Sequence, residues 1–112
     1  MDDLAQIFKI FSDKNRLRII ALLSNRKMCV CELAFVLDVT QPSVSRHLKK
    51  MKEAGIILDE QDGLWTNYFL NCNDSKAKTI LKHVETWLKE DDTVASDLKK
   101  LDKADRTKIC CK

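Results

Sequence analysis

"TQPSVSRHLKKMKEAGIILDEQDGLWTNYFL", residues 40–70, holds the signals that decide the fold. Its first half is marked as a helix at both ends. Thr40 is a candidate N-cap, Pro42 lies in the first turn, and Gly55 provides the stop. Apolar side chains recur at helical spacing between these marks, at Val44, Leu48 and Met51. We therefore predict a helix over 40–54 with one buried side.

The second half of the stretch, residues 56–70, changes from helical to strand-like periodicity. Residues 57–60 and 64–70 predict two strands, and Gln61, Asp62 and Gly63 between them predict a turn. A helix followed at once by a hairpin is the second half of a winged helix-turn-helix.

The flanking segments complete this pattern with further amphipathic helices. Helical spacing of apolar residues predicts helices within 4–11, 12–24, 32–39, 75–90 and 93–101. The fold class is therefore mainly α (α+β): a winged helix-turn-helix of five to six helices with a two-stranded β-hairpin wing. We divide the chain into a DNA-binding and dimerisation domain, 1–91, and a charged C-terminal helix and tail, 92–112.

Composition limits the class of protein. The chain has 112 residues, of which 45% are hydrophobic and 33% charged, and a formal net charge of +3. This length suits one domain with a modest core. No apolar run approaches the roughly 20 residues that span a bilayer, and we expect neither a membrane segment nor a signal peptide. The five cysteines are then expected to be free thiols in a reducing cytoplasm.

The exposed side of helix 40–54 mixes short polar side chains with long cations. Cations there can meet phosphates, while hydroxyl, amide and guanidinium groups can reach base edges in a major groove. An ordinary solvated helix has a similar face, but the hairpin that follows favours DNA. We assign base reading to the N-terminal turn, phosphate contact to the following lysines and the wing, and a phosphate or packing contact to His47. The DNA-binding candidates are Gln41, Ser43, Ser45, Arg46, His47, Lys49, Lys50 and Gln61.

Residues 29–70 resemble the ArsR/SmtB family of metal-responsive winged-helix repressors, and most of all its arsenic-sensing branch. The resemblance rests on "CVCELAFVLDV" before Thr40, on Gln41 and Pro42, and on "SRHL" at 45–48. It implies a homodimer, built on the N-terminal helix and the helix after the wing, that leaves operator DNA when an inducer binds. The partners implied are double-stranded operator DNA and a second copy of the chain.

The resemblance also implies an inducer site at Cys29 and Cys31, since that branch opens the first helix of its DNA-binding pair with "CVCDLC". Here Ala34 replaces the third cysteine. The zinc-sensor pattern on the later helix is absent around His83. If Cys29 is the N-cap in a Cys29-x-x-Glu32 capping box, its thiol can turn toward Cys31. The helix N-terminus is expected to lower the pKa of such a thiol.

Two further thiols, Cys110 and Cys111, end the chain in "KICCK" and are candidates for the missing ligand. They are equally compatible with a tail of no function. Trivalent arsenic or antimony favours a sulfur site, but Cd(II), Pb(II), Zn(II) and Cu(I) also bind thiolates. DNA binding itself should need no cofactor.

We therefore predict a metalloid-responsive repressor. A second hypothesis keeps the DNA binding but replaces the input by Cd, Pb or Zn, or by thiol oxidation. An enzyme with Cys29 as nucleophile would need a nearby base and a deep cleft, neither of which this chain offers. A protein-binding winged helix without DNA binding is disfavoured by the cations of "SRHLKKMK" at 45–52.

Overall fold

The computed structural model describes residues 1–104 and places six helices and one two-stranded antiparallel sheet there. The order of elements agrees with the sequence prediction and confirms the winged helix-turn-helix. The elements are α1 (Asp2–Ile10), α2 (Lys14–Leu23), α3 (Val30–Leu37), α4 (Gln41–Glu53), β1 (Ile57–Asp62), β2 (Trp65–Leu70), α5 (Ser75–Leu88) and α6 (Asp92–Leu101).

The core lies between α2, α3, α4 and the base of the hairpin. Helix α4 buries the side that its spacing predicted, and burial of apolar side chains from all these elements is the main stabilising term. The largest fully buried side chains include Ile19, Ile20, Leu22, Leu33, Leu48, Met51 and Ile57. None of the helices within 1–104 is both long enough and apolar enough to cross a membrane.

The turn between α3 and α4 is short because α3 ends in a left-handed residue. Asp38 has φ 57° and ψ 47°, and the Val39 N–H donates to the Ala34 carbonyl. Aspartate tolerates this conformation better than most residues. Thr40 then caps α4, its side chain accepting from the Ser43 N–H at 3.3 Å. This connection fixes α4 against α3.

The far end of α4 closes in a Schellman motif. The Ile56 N–H donates to the Met51 carbonyl and the Gly55 N–H to the Lys52 carbonyl, both at 3.0 Å. Gly55 has φ +78°, which a side chain would strain. The predicted stop is therefore confirmed, and it aims the chain directly into β1.

The hairpin is longer than predicted, and the predicted turn at 61–63 is wrong. Asp62 pairs with Trp65, which leaves Gly63 and Leu64 as a two-residue turn. Gly63 has φ +60°, and glycine at the first position of a two-residue turn matches the twist of the flanking strands. Gln61 and Asp62 are consequently strand residues near the tip.

Helix α6 runs antiparallel to α3 and packs against α2 as well. The buried Asp97 carboxylate accepts from the Arg18 guanidinium at 2.7 and 2.8 Å. The Lys100 ammonium lies 5.0 Å from the centre of the Phe35 ring. Beyond α6, the Ala104 carbonyl reaches Arg26, beside the start of α3. The chain thus leaves the described region next to the first turn of α3.

Candidate functional site

Helix α4 presents the polar face that the sequence predicted. Val44, Leu48 and Met51 are buried, as expected. The opposite side carries the exposed candidates Gln41, Ser45, Arg46, Lys49 and Lys50, while Ser43 is half-buried. Within residues 1–104, no ion pair or side-chain hydrogen bond holds Arg46, Lys49 or Lys50. These cations are therefore free to meet phosphates or bases.

His47 differs from the other candidates because it binds a neighbouring helix. It is half-buried, and its Nδ1 accepts from the Arg16 Nε on α2 at 3.1 Å. Burial lowers the pKa of His47, and the nearby Arg16 and Lys50 cations lower it further, against the opposing charge of Asp13. A neutral His47 therefore joins α4 to α2. Of the two roles predicted for His47, a phosphate contact or a packing contact, the structure has the packing contact.

Gln61 lies near the wing tip, but its amide is engaged within the hairpin. Its Nε2 donates to the Gly63 carbonyl at 3.1 Å, and its Oε1 accepts from the Thr66 hydroxyl at 3.0 Å. The exposed apolar side chain at the tip is Leu64. A contact of Gln61 with DNA would therefore use the second Nε2 hydrogen or the second lone pair of Oε1, or would replace these hydrogen bonds.

Cys29 is the N-cap of α3, and it forms the predicted capping box with Glu32. The Cys29 N–H donates to the Glu32 carboxylate at 3.1 Å, and the Cys29 sulfur faces the Glu32 backbone N–H. Cys29 has extended backbone angles, φ −93° and ψ 170°. Its thiol is buried, whereas Cys31 is half-buried. Both thiols therefore belong to the first turn of the helix that supports α4.

The Cys29 thiol is harder to ionise than an ordinary cysteine, so the expected lowering of its pKa is wrong. Burial raises the pKa of Cys29, and the Glu32 carboxylate and Cys31 raise it further. The backbone N–H of Glu32 acts in the opposite direction but is outweighed. An ion that binds the Cys29 sulfur must therefore displace the thiol proton.

The residues around this pair offer no third ligand in the described part of the chain. Ala34 is buried in the core, and no group of three His, Cys, Asp or Glu side chains within 1–104 could hold a metal ion. Cys72 is exposed on the loop after β2. The candidates Cys110 and Cys111 lie outside the described residues.

Two contacts that sequence reasoning missed attach the thiol turn to its surroundings. Met28 and Tyr68 exchange backbone hydrogen bonds of 3.2 and 2.8 Å, which tie the residue before Cys29 to β2. One nitrogen of Arg26 donates both to the Glu32 carboxylate at 3.0 Å and to the Ala104 carbonyl at 3.2 Å. The first turn of α3 is thus connected to the wing and to the end of α6.

Comparison with known sequences finds similarity to regulatory proteins. A family model described as "Bacterial regulatory protein, arsR family" matches residues 13–58. An arsenic resistance transcriptional regulator of Pseudomonas putida is 33% identical over 112 residues, covering 94% of this chain and 95% of that protein. The arsenical resistance operon repressor of Escherichia coli is 46% identical over 67 residues, 59% of this chain and 57% of that protein. A cadmium resistance regulatory protein of Listeria innocua is 39% identical over 64 residues, 56% and 54% of the two chains.

Comparison with solved structures supports the fold. HlyU from Vibrio cholerae matches with a TM-score of 0.70 and 19% identity, over 80% of this chain and 95% of that one. A homodimeric winged helix-turn-helix DNA-binding domain from Mycobacterium bovis matches with a TM-score of 0.68 and 20% identity, over 80% and 81%. At these identities the likeness extends to the architecture alone.

Proposed function

The chain belongs to the arsR family of bacterial regulatory proteins, and from this premise we propose that it is a metalloid-released repressor. Members of the family are DNA-binding transcriptional regulators and not enzymes. As a homodimer it binds operator DNA in the cytoplasm, and it leaves that DNA when As(III) or Sb(III) binds Cys29 and Cys31. The observation that carries this proposal is the position of both thiols in the first turn of α3.

The DNA-binding surface is the exposed face of α4 together with the wing. Gln41, Ser43, Ser45 and Arg46 lie toward the N-terminal end of α4, where a recognition helix meets base edges. Lys49 and Lys50 follow on the same face and contact phosphates, and His47 holds the helix against α2. This surface belongs to the 1–91 unit, and 92–112 adds α6 and the terminal thiols.

The dimer surface is the apolar groove between α1 and α5. Its lining residues are Phe8, Phe11, Ile80, His83, Val84 and Trp87. Phe8 is 60% exposed and Trp87 is 72% exposed, and an uncovered apolar groove of this kind marks an interaction site. A two-fold axis there would present two α4 helices to one operator, roughly 34 Å apart.

Trp87→Glu is expected to convert the dimer into a folded monomer, because it places a charge in the centre of the apolar interface. Leu64→Glu is the matched control, since Leu64 is 70% exposed but lies at the wing tip. Sedimentation at micromolar concentration measures both. A Trp87→Glu protein that remains dimeric would show that the dimer surface lies elsewhere. A monomeric wild-type protein would contradict the proposed dimer itself.

Inducer binding would act on two contacts at the start of α3. These are the cap between Cys29 and Glu32 and the backbone pairing of Met28 with Tyr68. An ion lying toward Cys31 would draw the Cys29 sulfur away from the Glu32 N–H that it faces. Moving Cys29 also moves Met28, whose backbone is bonded to Tyr68 of the wing. One ion can therefore displace both the support of α4 and the wing. Typical coupling free energies of about 1–3 kcal/mol per site suffice to weaken operator binding.

A second candidate input is a soft divalent cation, since the chain is also similar to a cadmium resistance regulator. Because the pKa of Cys29 is raised, binding of As(III) and binding of Cd(II) should depend differently on pH. Neutral arsenous acid, As(OH)3, takes a thiol sulfur and releases water, so no free proton is produced. Cd(II) bound by the same protonated thiol releases a proton to solution.

We therefore expect the As(III) concentration that half-releases DNA to stay constant between about pH 6 and pH 8. The corresponding Cd(II) concentration should fall about tenfold per pH unit for each proton displaced, because rising pH removes the competing proton. Fluorescence anisotropy of a labelled operator fragment measures both, with ion-free operator affinity at each pH as control. An As(III) midpoint that falls as steeply as that of Cd(II) would contradict condensation at a protonated thiol. Release by an oxidant without any ion would indicate thiol oxidation instead.

A further inference from the structure

A cleft of about 180 Å³ lies along one edge of α4, between that helix, the end of α1 and the start of α2. Three of its lining side chains are cations, one from each helix, and one is a carboxylate. The lining residues are Gln6, Lys9, Ile10, Arg16, Lys50 and Glu53. Two positive charges are therefore in excess, and we call this site the cationic cleft.

The two lysines of the cationic cleft have no partner inside the protein. Within residues 1–104, the side chains of Lys9 and Lys50 form no ion pair or hydrogen bond, and both are exposed. The Glu53 carboxylate on the same edge of α4 forms no ion pair with them. Both ammonium groups can therefore bind an anion without giving up an internal contact.

Arg16 is held in the cleft by uncharged acceptors. Its Nε donates to Nδ1 of His47 at 3.1 Å, and its Nη1 lies 3.5 Å from the Lys9 carbonyl. The nearby Asp13 carboxylate accepts from the backbone N–H of Arg16, as the N-cap of α2, and not from the guanidinium. A guanidinium has five N–H donors, so Arg16 keeps its charge and several donors for an anion.

The cationic cleft does not belong to the proposed dimer surface. On α1, Phe8 and Phe11 line the apolar groove, whereas Gln6 and Lys9 line the cleft. Residues three apart share one side of a helix, so these two pairs define two different sides of α1. The cleft therefore stays open when a second copy covers the groove.

The cationic cleft continues the exposed face of α4, because Lys50 belongs to both. When a recognition helix lies in a major groove, the helices packed against it meet the sugar-phosphate strand that borders the groove. We propose that the cationic cleft binds a backbone phosphate of the operator, and that Lys9 and Arg16 contact this phosphate from outside the recognition helix and the wing. The inference rests on the proposed function, because the phosphate reaches the cleft only when α4 occupies the groove. Such a contact fixes the position of the protein on DNA and reads no sequence.

The first test is the salt dependence of DNA binding by Lys9→Ala. Anisotropy titrations use a fragment that the wild-type protein selects from random duplexes, and an unrelated duplex of equal length. We expect affinity for both to fall on the order of tenfold, and the slope of log affinity against log salt to fall by about two, one for each subunit. Lys99→Ala, on the exposed side of α6, should bind as wild type.

Two outcomes of this test would overturn the inference in different ways. A wild-type slope for Lys9→Ala, together with a reduced slope for Lys49→Ala, would overturn the inference and leave the proposed function intact. A wild-type protein that binds neither duplex would overturn both.

The second test reverses the direction of the effect. Glu53→Gln keeps the shape of the side chain and removes the one negative charge that lines the cleft. We expect affinity for both duplexes to rise about threefold, since the carboxylate no longer repels the phosphate. Glu90→Gln, an exposed carboxylate after α5, is the matched control and should bind as wild type. An unchanged or lowered affinity of Glu53→Gln would contradict a phosphate in this cleft.

The third test locates the phosphate. A series of selected fragments each carries one methylphosphonate, which removes the charge of a single phosphate. We expect one position in each half-site at which this change weakens binding of the wild-type and Lys99→Ala proteins but has no effect on Lys9→Ala. If every sensitive phosphate is equally sensitive in Lys9→Ala, then Lys9 contacts none of them and the inference is overturned.

Discussion

Arg46→Ala is expected to lower the affinity of the dimer for its operator by about 30-fold or more, because both subunits lose the side chain, while folding and dimerisation stay unchanged. Arg46 is exposed near the N-terminal end of α4, and its guanidinium has no partner within residues 1–104. Its removal therefore costs the protein no ion pair or hydrogen bond within these residues. Loss of one base contact by arginine costs about 1–3 kcal/mol, and a lost phosphate contact would add to this.

Lys49→Ala separates phosphate contact from base contact on the same face. It should weaken binding evenly across operator and unrelated DNA, and reduce the slope of log affinity against log salt by about two, one for the Lys49 of each subunit. Lys99→Ala, an exposed lysine on α6, is the control and should bind as wild type. Anisotropy titrations at several salt concentrations measure all three proteins. Wild-type binding by both Arg46→Ala and Lys49→Ala would show that α4 is not the recognition helix.

The sequence predicted α4 accurately because its signals are local. Thr40, Pro42 and Gly55 act within one turn of the helix ends, and the structure has the N-cap and the Schellman stop where these residues are. The hairpin was predicted less well. Its existence follows from periodicity, but its turn depends on whether Gly63 occupies the first or the last loop position, which adjacent residues do not determine.

The proton affinity of Cys29 could not be read from the sequence because opposing effects meet there. A helix N-terminus stabilises a thiolate, whereas burial and a neighbouring carboxylate destabilise it. The capping box predicts that Glu32 is close, but the burial of Cys29 depends on how α3 packs against the rest of the core. Burial decides the direction of the shift.

The contacts of Arg26 and Arg16 were also beyond sequence reasoning, for a different reason. Arg26 is 78 residues from Ala104, and Arg16 is 31 residues from His47. No helical or strand periodicity relates positions so far apart. These two arginines nevertheless connect the thiol turn to Ala104 and α4 to α2.

Cys29→Ser and Cys31→Ser should each abolish release of operator DNA by arsenite while operator binding stays within about twofold of wild type. Serine at position 29 is a good N-cap and can accept from the Glu32 N–H, so the first turn of α3 is retained. Cys31 is half-buried in a helix that serine tolerates. Neither hydroxyl is a soft ligand, so the arsenite site is lost in both proteins.

The effect of these substitutions is expected to be large, because release depends on the coupling between site and operator. A coupling of about 1–3 kcal/mol per site, acting at both sites of a dimer, lowers operator affinity by a factor between roughly 25 and more than 10⁴. Reciprocity requires that operator DNA weaken arsenite binding by the same total factor, which titration with and without DNA measures. Cys72→Ser, which removes an exposed thiol outside the site, should be released as wild type. Normal release of both the Cys29→Ser and the Cys31→Ser proteins would show that the pair in α3 is not the sensor, and would transfer that role to thiols elsewhere in the chain.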